Sequence, residues 1–480
     1  MESKSHDHQH APNRFAVIPT PARLNAHPDY TGKGVTIAFL DSGFYPHPDL
    51  ESRIVIYHDI SGERPRLNAA DPRETWQWHG TQTSVAAAGD GQLSNGVYRG
   101  LACHANLVLV KASEGGSITE DNIARGIQWV IENRARFDIR ILNISLGGDE
   151  DVPCSKSIID QAAEEAIRQG IVVVVAAGNS GNEGRHSIPP ANSPSVITVG
   201  GYTDHNQAEG RILDLYHSNF GVTTSGILKP EIVAPAMWVA APILPGTPSY
   251  DKAEALSQLV AAFDYELPRL AIQLREKAGL PDRALTASVA ELRTLIETTL
   301  TENKIVATHY QHVDGTSFAA PIVSSIVAQM IEANPQLGPA TIKNILISTA
   351  SRITSAAVLR QGYGVVNARR AVEAALSEQH KLDNGGCASY AIRDGRMRFI
   401  YHDDAAASVA LAGDFNNWDP RSAVLKRDAS GLWVGEIDAP LPGKYQYKFV
   451  INGQSWLEDP NNGMKAPDSY GGLNSVLIIE

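Results

Sequence analysis

Val35-Thr36-Ile37-Ala38-Phe39-Leu40-Asp41-Ser42-Gly43 reads as a buried strand that ends on a carboxylate. Val35 to Leu40 is nearly continuous and apolar, the pattern of a strand covered on both faces. Runs of the same kind recur at Leu107 to Val110, Ile139 to Ile144, Ile171 to Ala177, Val196 to Val199 and Glu231 to Ala234. Helical patterns at Ile118 to Asn133 and Ser157 to Gln169 lie between them, the second stopped by Gly170. Strand alternating with helix predicts an α/β domain with a parallel sheet. Most of the runs end in Gly, Asn, Asp or Ser, and an open parallel sheet gathers its chemistry at those carboxyl ends.

Outward from this core the pattern changes twice. From about 245 to 308 Leu256, Leu259, Val260, Phe263 and Leu267 stand at helical spacing, followed by Val289, Leu292, Ile296 and Leu300. Two or three helices are expected there, punctuated by Pro268, Gly279 and Pro281, and they read first as a packing appendage rather than a lid. Helical patterns then run from Ser317 to about Glu332, after Pro339, and from Ala371 to about Ser377. Residues 379–396 are polar and read as a linker. Short alternating strands follow at Met397 to Tyr401, Ser408 to Ala412, Leu432 to Ile437, Tyr445 to Asn452 and Ser475 to Ile479, with Asn452-Gly453 among the turns. An immunoglobulin-like all-β sandwich over 397–480 is predicted.

Composition narrows the function classes. A chain of 480 residues, 43% hydrophobic, can fill more than one core. Its net charge of -12 and pI near 5.7 argue against nucleic acid as a partner. No apolar run is expected to cross a bilayer, so no membrane partner is expected. Cys103, Cys154 and Cys387 are scattered, without a CxxC pair, which points to a reducing compartment and to no zinc site. Residues 1–14 carry His6, His8 and His10 in a polar stretch that reads as a disordered tail, without the apolar core of a secretory signal.

Four short segments carry the chemistry. Leu40-Asp41-Ser42-Gly43 holds an acid at the sheet edge, where it needs a partner. Trp78-His79-Gly80-Thr81 sets an imidazole before a glycine. Ala176-Ala177-Gly178-Asn179-Ser180-Gly181 ends a strand on a side-chain amide that can donate to an oxyanion. Asp314-Gly315-Thr316-Ser317-Phe318-Ala319-Ala320-Pro321 puts a hydroxyl where a helix begins, with Pro321 expected in the first turn, where its missing N–H goes unused. Alone, each residue has a plainer reading as a turn former, a structural His or a helix cap.

Together, in the order Asp, His, Asn, Ser, the segments resemble the subtilisin-like serine proteases over roughly residues 15–378. Ile144-Ser145-Leu146-Gly147-Gly148, Pro194-Ser195-Val196-Ile197-Thr198-Val199-Gly200 and Leu228-Lys229-Pro230-Glu231-Ile232-Val233-Ala234-Pro235 agree. The resemblance implies a serine endopeptidase acting on protein or peptide substrates. Ser317 would be the nucleophile, His79 the base, Asp41 its orienting acid, and Asn179 with the Ser317 N–H the oxyanion donors. It further implies that Ser145, Leu146 and Gly147 pair with extended peptide, that Ala176, Ala177 and Gly178 wall the first specificity pocket, and that Ile188 floors it. No cofactor is required. Calcium is left open, because Gly89-Asp90-Gly91-Gln92-Leu93-Ser94-Asn95-Gly96 offers oxygens but reads first as a turn. The insert at 245–308 and the short stretch before residue 15 depart from the family. The expected setting is cytoplasmic, or else secreted with signal and pro-segment missing from this chain.

The last domain contains Ala412-Gly413-Asp414-Phe415-Asn416-Asn417-Trp418, Tyr445-Gln446-Tyr447-Lys448-Phe449 and Trp456-Leu457-Glu458-Asp459-Pro460. It is similar to the glycogen-binding domain of the AMP-activated kinase beta subunit and related starch-binding modules. That implies a glycogen or starch-like α-glucan partner, Trp418 and Trp456 as stacking platforms, and Lys448 and Asn474 as hydrogen-bonding groups, with Tyr470 a weaker match. Trp433 reads as core. The alternative to a glucan-localised peptidase is a glycogen-associated scaffold whose protease-like domain is inert.

Overall fold

The computed structural model describes residues 17–62, 76–148, 152–181, 186–208, 212–382, 390–393, 396–401, 403, 406–428, 431–441, 443–460, 462 and 464–479. The expected tail, Cys387 and residues 383–389 of the expected linker lie outside these.

The strands β1 (Thr36–Asp41), β2 (Ile54–Asp59), β3 (Asn106–Lys111), β4 (Ile139–Ile144), β5 (Val172–Ala176) and β6 (Ile197–Thr203) form a parallel sheet in the order β2-β3-β1-β4-β5-β6, followed by Ile232–Pro235. Each strand expected from an apolar run is present, within a few residues at its ends. The edge strand β2 was not among the expected strands, although Ile54-Val55-Ile56-Tyr57 is a short apolar run; most of its residues are only half-buried.

Successive side chains of β1 enter opposite cores: Ile37 and Phe39 face the Thr316–Ala333 and Trp76–Ala88 helices, while Ala38 and Leu40 face Glu120–Phe137 and Ile158–Arg168. All six residues of β1 are buried, which is why the strand reads as unbroken apolar sequence. A Cβ at Gly126 would stand 2.4 Å from Leu40 Cδ1, so only glycine lets the Glu120–Phe137 helix lie this close to the sheet.

Thr316–Ala333 corrects the membrane expectation in one respect. By length and composition this helix is apolar enough to span a bilayer, yet 89% of its residues are buried, as the central core helix. Pro321 also differs from expectation. It is the sixth residue of the helix, past the first turn, so the carbonyl its N–H would have met, that of Ser317, needs another donor. Ser145 Oγ supplies it at 2.9 Å.

The insert is a helical unit with its own core, formed by Pro248–Ala261, Leu267–Ala278 and Val289–Glu302. An antiparallel sheet of Val239–Pro242, Tyr310–Val313 and Ile305–Ala307 roots it. Leu256, Leu259 and Leu267 are buried as expected, but Val260, within the helix, is 44% exposed, and Phe263, past the helix end at Ala261, is 67% exposed. The Arg293 guanidinium collects the carbonyls of Leu259, Val260 and Ala262, the acceptors that a helix end leaves unpaired.

Two antiparallel sheets make up the last module, with Tyr390–Arg393, Arg396–Tyr401, Trp433–Asp438 and Lys426–Arg427 in one. The other contains Val409–Gly413, Gly443–Ile451, Leu473–Ile479 and Lys465–Pro467, with Ser455–Leu457 on Gly443–Ile451. Trp433 is in the shared core, as expected, and its Nε1 donates to the Asp403 carbonyl at 3.1 Å. Strand Tyr390–Arg393 lies inside the stretch expected to be linker.

Asp160, on Ile158–Arg168, is fully buried, and among the described residues neither of its carboxyl oxygens has a hydrogen-bond partner. Burial pushes its pKa up to about 7. The unfolded chain ionises this group near 3.8, so folding is opposed progressively as pH rises from there, with the full effect above 7. Asp160→Asn is therefore expected to stabilise the fold at pH 8 by up to about 4 kcal/mol, and hardly at all at pH 3.5. Thermal unfolding at the two pH values measures the difference; equal shifts at both would refute it.

Candidate active site

Asp41 ends β1 and is wholly inaccessible to water, a position that an ionised acid tolerates only with donors around it. The Ser42 N–H reaches Oδ1 at 2.7 Å, the Thr83 hydroxyl reaches Oδ2 at 3.0 Å, and His79 Nδ1 lies 2.6 Å from Oδ1. His79 and Thr83 are four residues apart on the Trp76–Ala88 helix, so they share the face toward the strand end. Gly80 makes that approach feasible. A Cβ there would stand 2.2 Å from the Gly43 carbonyl and 2.9 Å from the Phe44 ring.

With Nδ1 turned to Asp41, Nε2 is the nitrogen left to work as a base. Burial alone would lower the imidazole pKa. The Asp41 charge and hydrogen bond outweigh it, and the net pKa stands above 6.5.

Ser317 is the second residue of Thr316–Ala333, where a backbone N–H has no intrahelical acceptor and the helix dipole is positive. Gly315, before it, has φ 137, a value costly for any side chain. The Phe318 ring, next in sequence, lies 6.0 Å from the His79 ring. Among the described residues no hydrogen bond joins Ser317 to His79. Ser145 ties the nucleophile's backbone to the sheet: its Oγ donates to Ser317 O and accepts from Asn143 Nδ2 at 3.1 Å. Asn143 Oδ1 in turn accepts from Ser324 Oγ at 3.0 Å.

Asn179 follows β5. Its Oδ1 accepts from both the N–H and the hydroxyl of Thr316, each at 2.9 Å. Those two bonds fix the amide, and no described residue accepts from its Nδ2. Asn179 Nδ2, on an amide tied to Thr316, and the N–H of the next residue, Ser317, are thus two unspent donors, of the kind a developing oxyanion needs.

Residues 32–364 match the subtilase family. The chain belongs to it. Serine protease AprX of Bacillus subtilis (strain 168) is 32% identical over 350 residues, covering 71% of this chain and 67% of that protein. Subtilisin E of the same strain is 34% identical over 204 residues, 42% of this chain and 48% of that one. A structure of proteases from Pseudoalteromonas arctica PAMC 21717 has a TM-score of 0.49 and 24% identity, covering 75% of this chain and 93% of that one. Residues 386–465 match carbohydrate-binding module 48, the isoamylase N-terminal domain. The protein is a serine endopeptidase of the subtilase family that carries a carbohydrate-binding module.

In this subtilase several of the expected substrate residues lie at or just after the carboxyl ends of β4 and β5. Ser145, Leu146 and Gly147 leave the end of β4, with Leu146 half-buried against the core and Gly147 exposed. Ala176, Ala177 and Gly178 leave β5, and the Gly178 N–H donates to Thr316 Oγ1 at 3.1 Å. A Cβ at Gly147 would meet Ile188 Cδ1 at 3.5 Å, so Ile188 does lie beside the β4 segment. Thr83 and Thr316 were missed from sequence. Their positions, one turn after His79 and one residue before Ser317, were the available signal.

In the module, Trp418 and Trp456 come together, ring centroids 6.4 Å apart and planes at 30°. Trp456 is 41% exposed, and Trp418 Nε1 donates to Asp414 Oδ1 at 2.9 Å. Lys448 and Asn474 are less available than expected: Lys448 pairs with Asp468, and Asn474 Nδ2 donates to Gln446 Oε1. Tyr470 is almost fully exposed.

In the Gly89–Gly96 loop the carbonyls of Gly89, Gly91 and Ser94 meet backbone donors. Asp90 accepts from the Gln92 N–H at 2.9 Å, and neighbouring Asp49 takes the Leu93 N–H and the Tyr310 hydroxyl. Among the described residues no group of three His, Cys, Asp or Glu side chains is placed to hold a metal ion, a finding that does not bear on calcium held by carbonyl oxygens.

Proposed function

We propose that this subtilase cleaves peptide bonds through an acyl-enzyme on Ser317. His79 Nε2 takes the hydroxyl proton as Ser317 Oγ attacks the carbonyl, and Asp41 holds the tautomer and balances the imidazolium. Asn179 Nδ2 and the Ser317 N–H receive the oxyanion. The protonated imidazole then delivers its proton to the departing amine, and water repeats the sequence on the ester. The observation carrying this reading is the 2.6 Å contact between His79 and a buried Asp41, beside a helix that starts on Thr316-Ser317.

Extended peptide would pair with Ser145 to Gly147. Its residue before the cut would sit among Ala176, Ala177, Gly178 and Ile188, a lining that favours an apolar or aromatic side chain. Fluorophosphonate labelling tests the hydrolase reading, since an unreactive chain without a blocked site would favour an inert scaffold. Asn179→Ala is expected to lower kcat about 10²–10³-fold with little change in KM, because the amide acts only once charge has moved to oxygen. A KM effect alone would deny it that role.

The module is proposed to hold the enzyme on an α-glucan through Trp418 and Trp456, whose paired faces suit the C–H face of pyranose rings. In affinity electrophoresis through glycogen the protein should be retarded, and Trp418→Ala with Trp456→Ala should release it, weakening binding about tenfold or more. Equal mobility with and without glycogen for the unaltered chain would remove the glucan claim.

A further inference from the structure

Beside the nucleophile turn, the stem of the insert borders an open recess of about 330 Å³ lined in part by Gln82, Glu302, Lys304, His312, Asp314 and Phe318. It is large enough for a side chain, and it adjoins the reacting groups. Gln82 lies one turn after His79 on the same helix, and Phe318 follows Ser317 with its ring 6.0 Å from His79. The imidazole must hand its proton to the leaving amine, so groups flanking it here face the peptide that continues past the cut.

The recess is polar, and its charges do not cancel. Lys304 and Asp314 form an ion pair, and Asp314 Oδ1 also takes the Trp238 N–H at 3.2 Å. His312 is stacked on Trp238, ring centroids 4.3 Å apart. Glu302, where the last insert helix ends, has no ion-pair partner among the described residues, leaving one carboxylate in excess. Gln82 Nε2 donates to the Pro242 carbonyl at 3.2 Å, which leaves Oε1 as an oriented acceptor.

We propose that this recess binds the side chain just downstream of the scissile bond, and that Glu302 and Gln82 make the enzyme prefer a cationic residue, arginine or lysine, at that place. An excess carboxylate attracts a guanidinium or ammonium and repels an acidic side chain, so discrimination comes from both attraction and exclusion. The insert would then supply substrate selection, which a packing appendage would not. The inference rests on the peptidase reading above.

The test uses the full chain and quenched peptides that share an apolar residue before the cut and carry Arg, Ala or Glu after it. The kcat/KM ratio of Arg over Glu should be about fivefold or more and should fall as salt is raised. Glu302→Gln should bring the ratio close to one. Lys304→Gln should move it the other way, because it frees the Asp314 carboxylate. Opposite shifts from two neighbouring surface substitutions are not expected from a merely structural role. A ratio near one in the unaltered enzyme, or no response to Glu302→Gln, would overturn the inference while cleavage itself stands. If no peptide is cut and fluorophosphonate does not react, the peptidase reading falls and this one with it.

Discussion

Ser317→Ala is expected to abolish fluorophosphonate labelling and to lower kcat by about 10⁶, the scale of loss found on removing the nucleophile in subtilisin. The size follows from the chemistry, because the two neighbouring hydroxyls among the described residues, those of Thr316 and Ser145, are otherwise engaged. Thr316, the adjacent hydroxyl, is committed to Asn179 Oδ1 and to the Gly178 N–H. Ser145 Oγ, the other near candidate, is held by Ser317 O and Asn143. The substitution removes one oxygen from a half-buried position and leaves the core intact, so the thermal midpoint should hardly move. Residual hydrolysis within tenfold of the unaltered enzyme would show that another group attacks.

Asp41→Asn should cost about 10⁴ in kcat, and it should move the pH profile. An amide at this buried strand end can satisfy Thr83 or Ser42, but it has no charge to stabilise an imidazolium and can hold the wrong tautomer. In the unaltered enzyme the carboxylate keeps the His79 pKa above 6.5 against the opposing effect of burial. Only the neutral ring acts as base, so kcat/KM should rise with pH and level off above that raised value. Without the carboxylate, burial is left to act alone and the midpoint should shift below 6.5. The measurement is kcat/KM from pH 5 to 9 for both proteins. An unmoved midpoint would mean that another group sets the ascending limb.

Much of this architecture was readable from residues alone. β1 and β4 are buried on both faces, so their apolar runs were continuous and their limits fell within a residue of the true ones. The short strands Ser455–Leu457 and Lys465–Pro467 carry no such signature and were missed, and the half-exposed β2 was missed although Ile54 to Tyr57 is apolar. Phe263 shows the opposite error, since its spacing matched a helical stripe that the chain abandons two residues earlier. The carbonyls at that helix end are met by a distant guanidinium, Arg293, and local sequence does not record such a partner.

The residue types at the site, and the sheet edge they occupy, were determined by sequence, because each role demands a particular functional group and each strand must end where its apolar run ends. Tertiary structure decided the rest. Thr83 against Asp41, Thr316 against Asn179, Ser145 against the carbonyl freed by Pro321, and the charged recess under the insert all join segments far apart in the chain or on separate elements. Such contacts depend on how close two backbones approach, which is set at Gly80 by the absence of a single carbon atom.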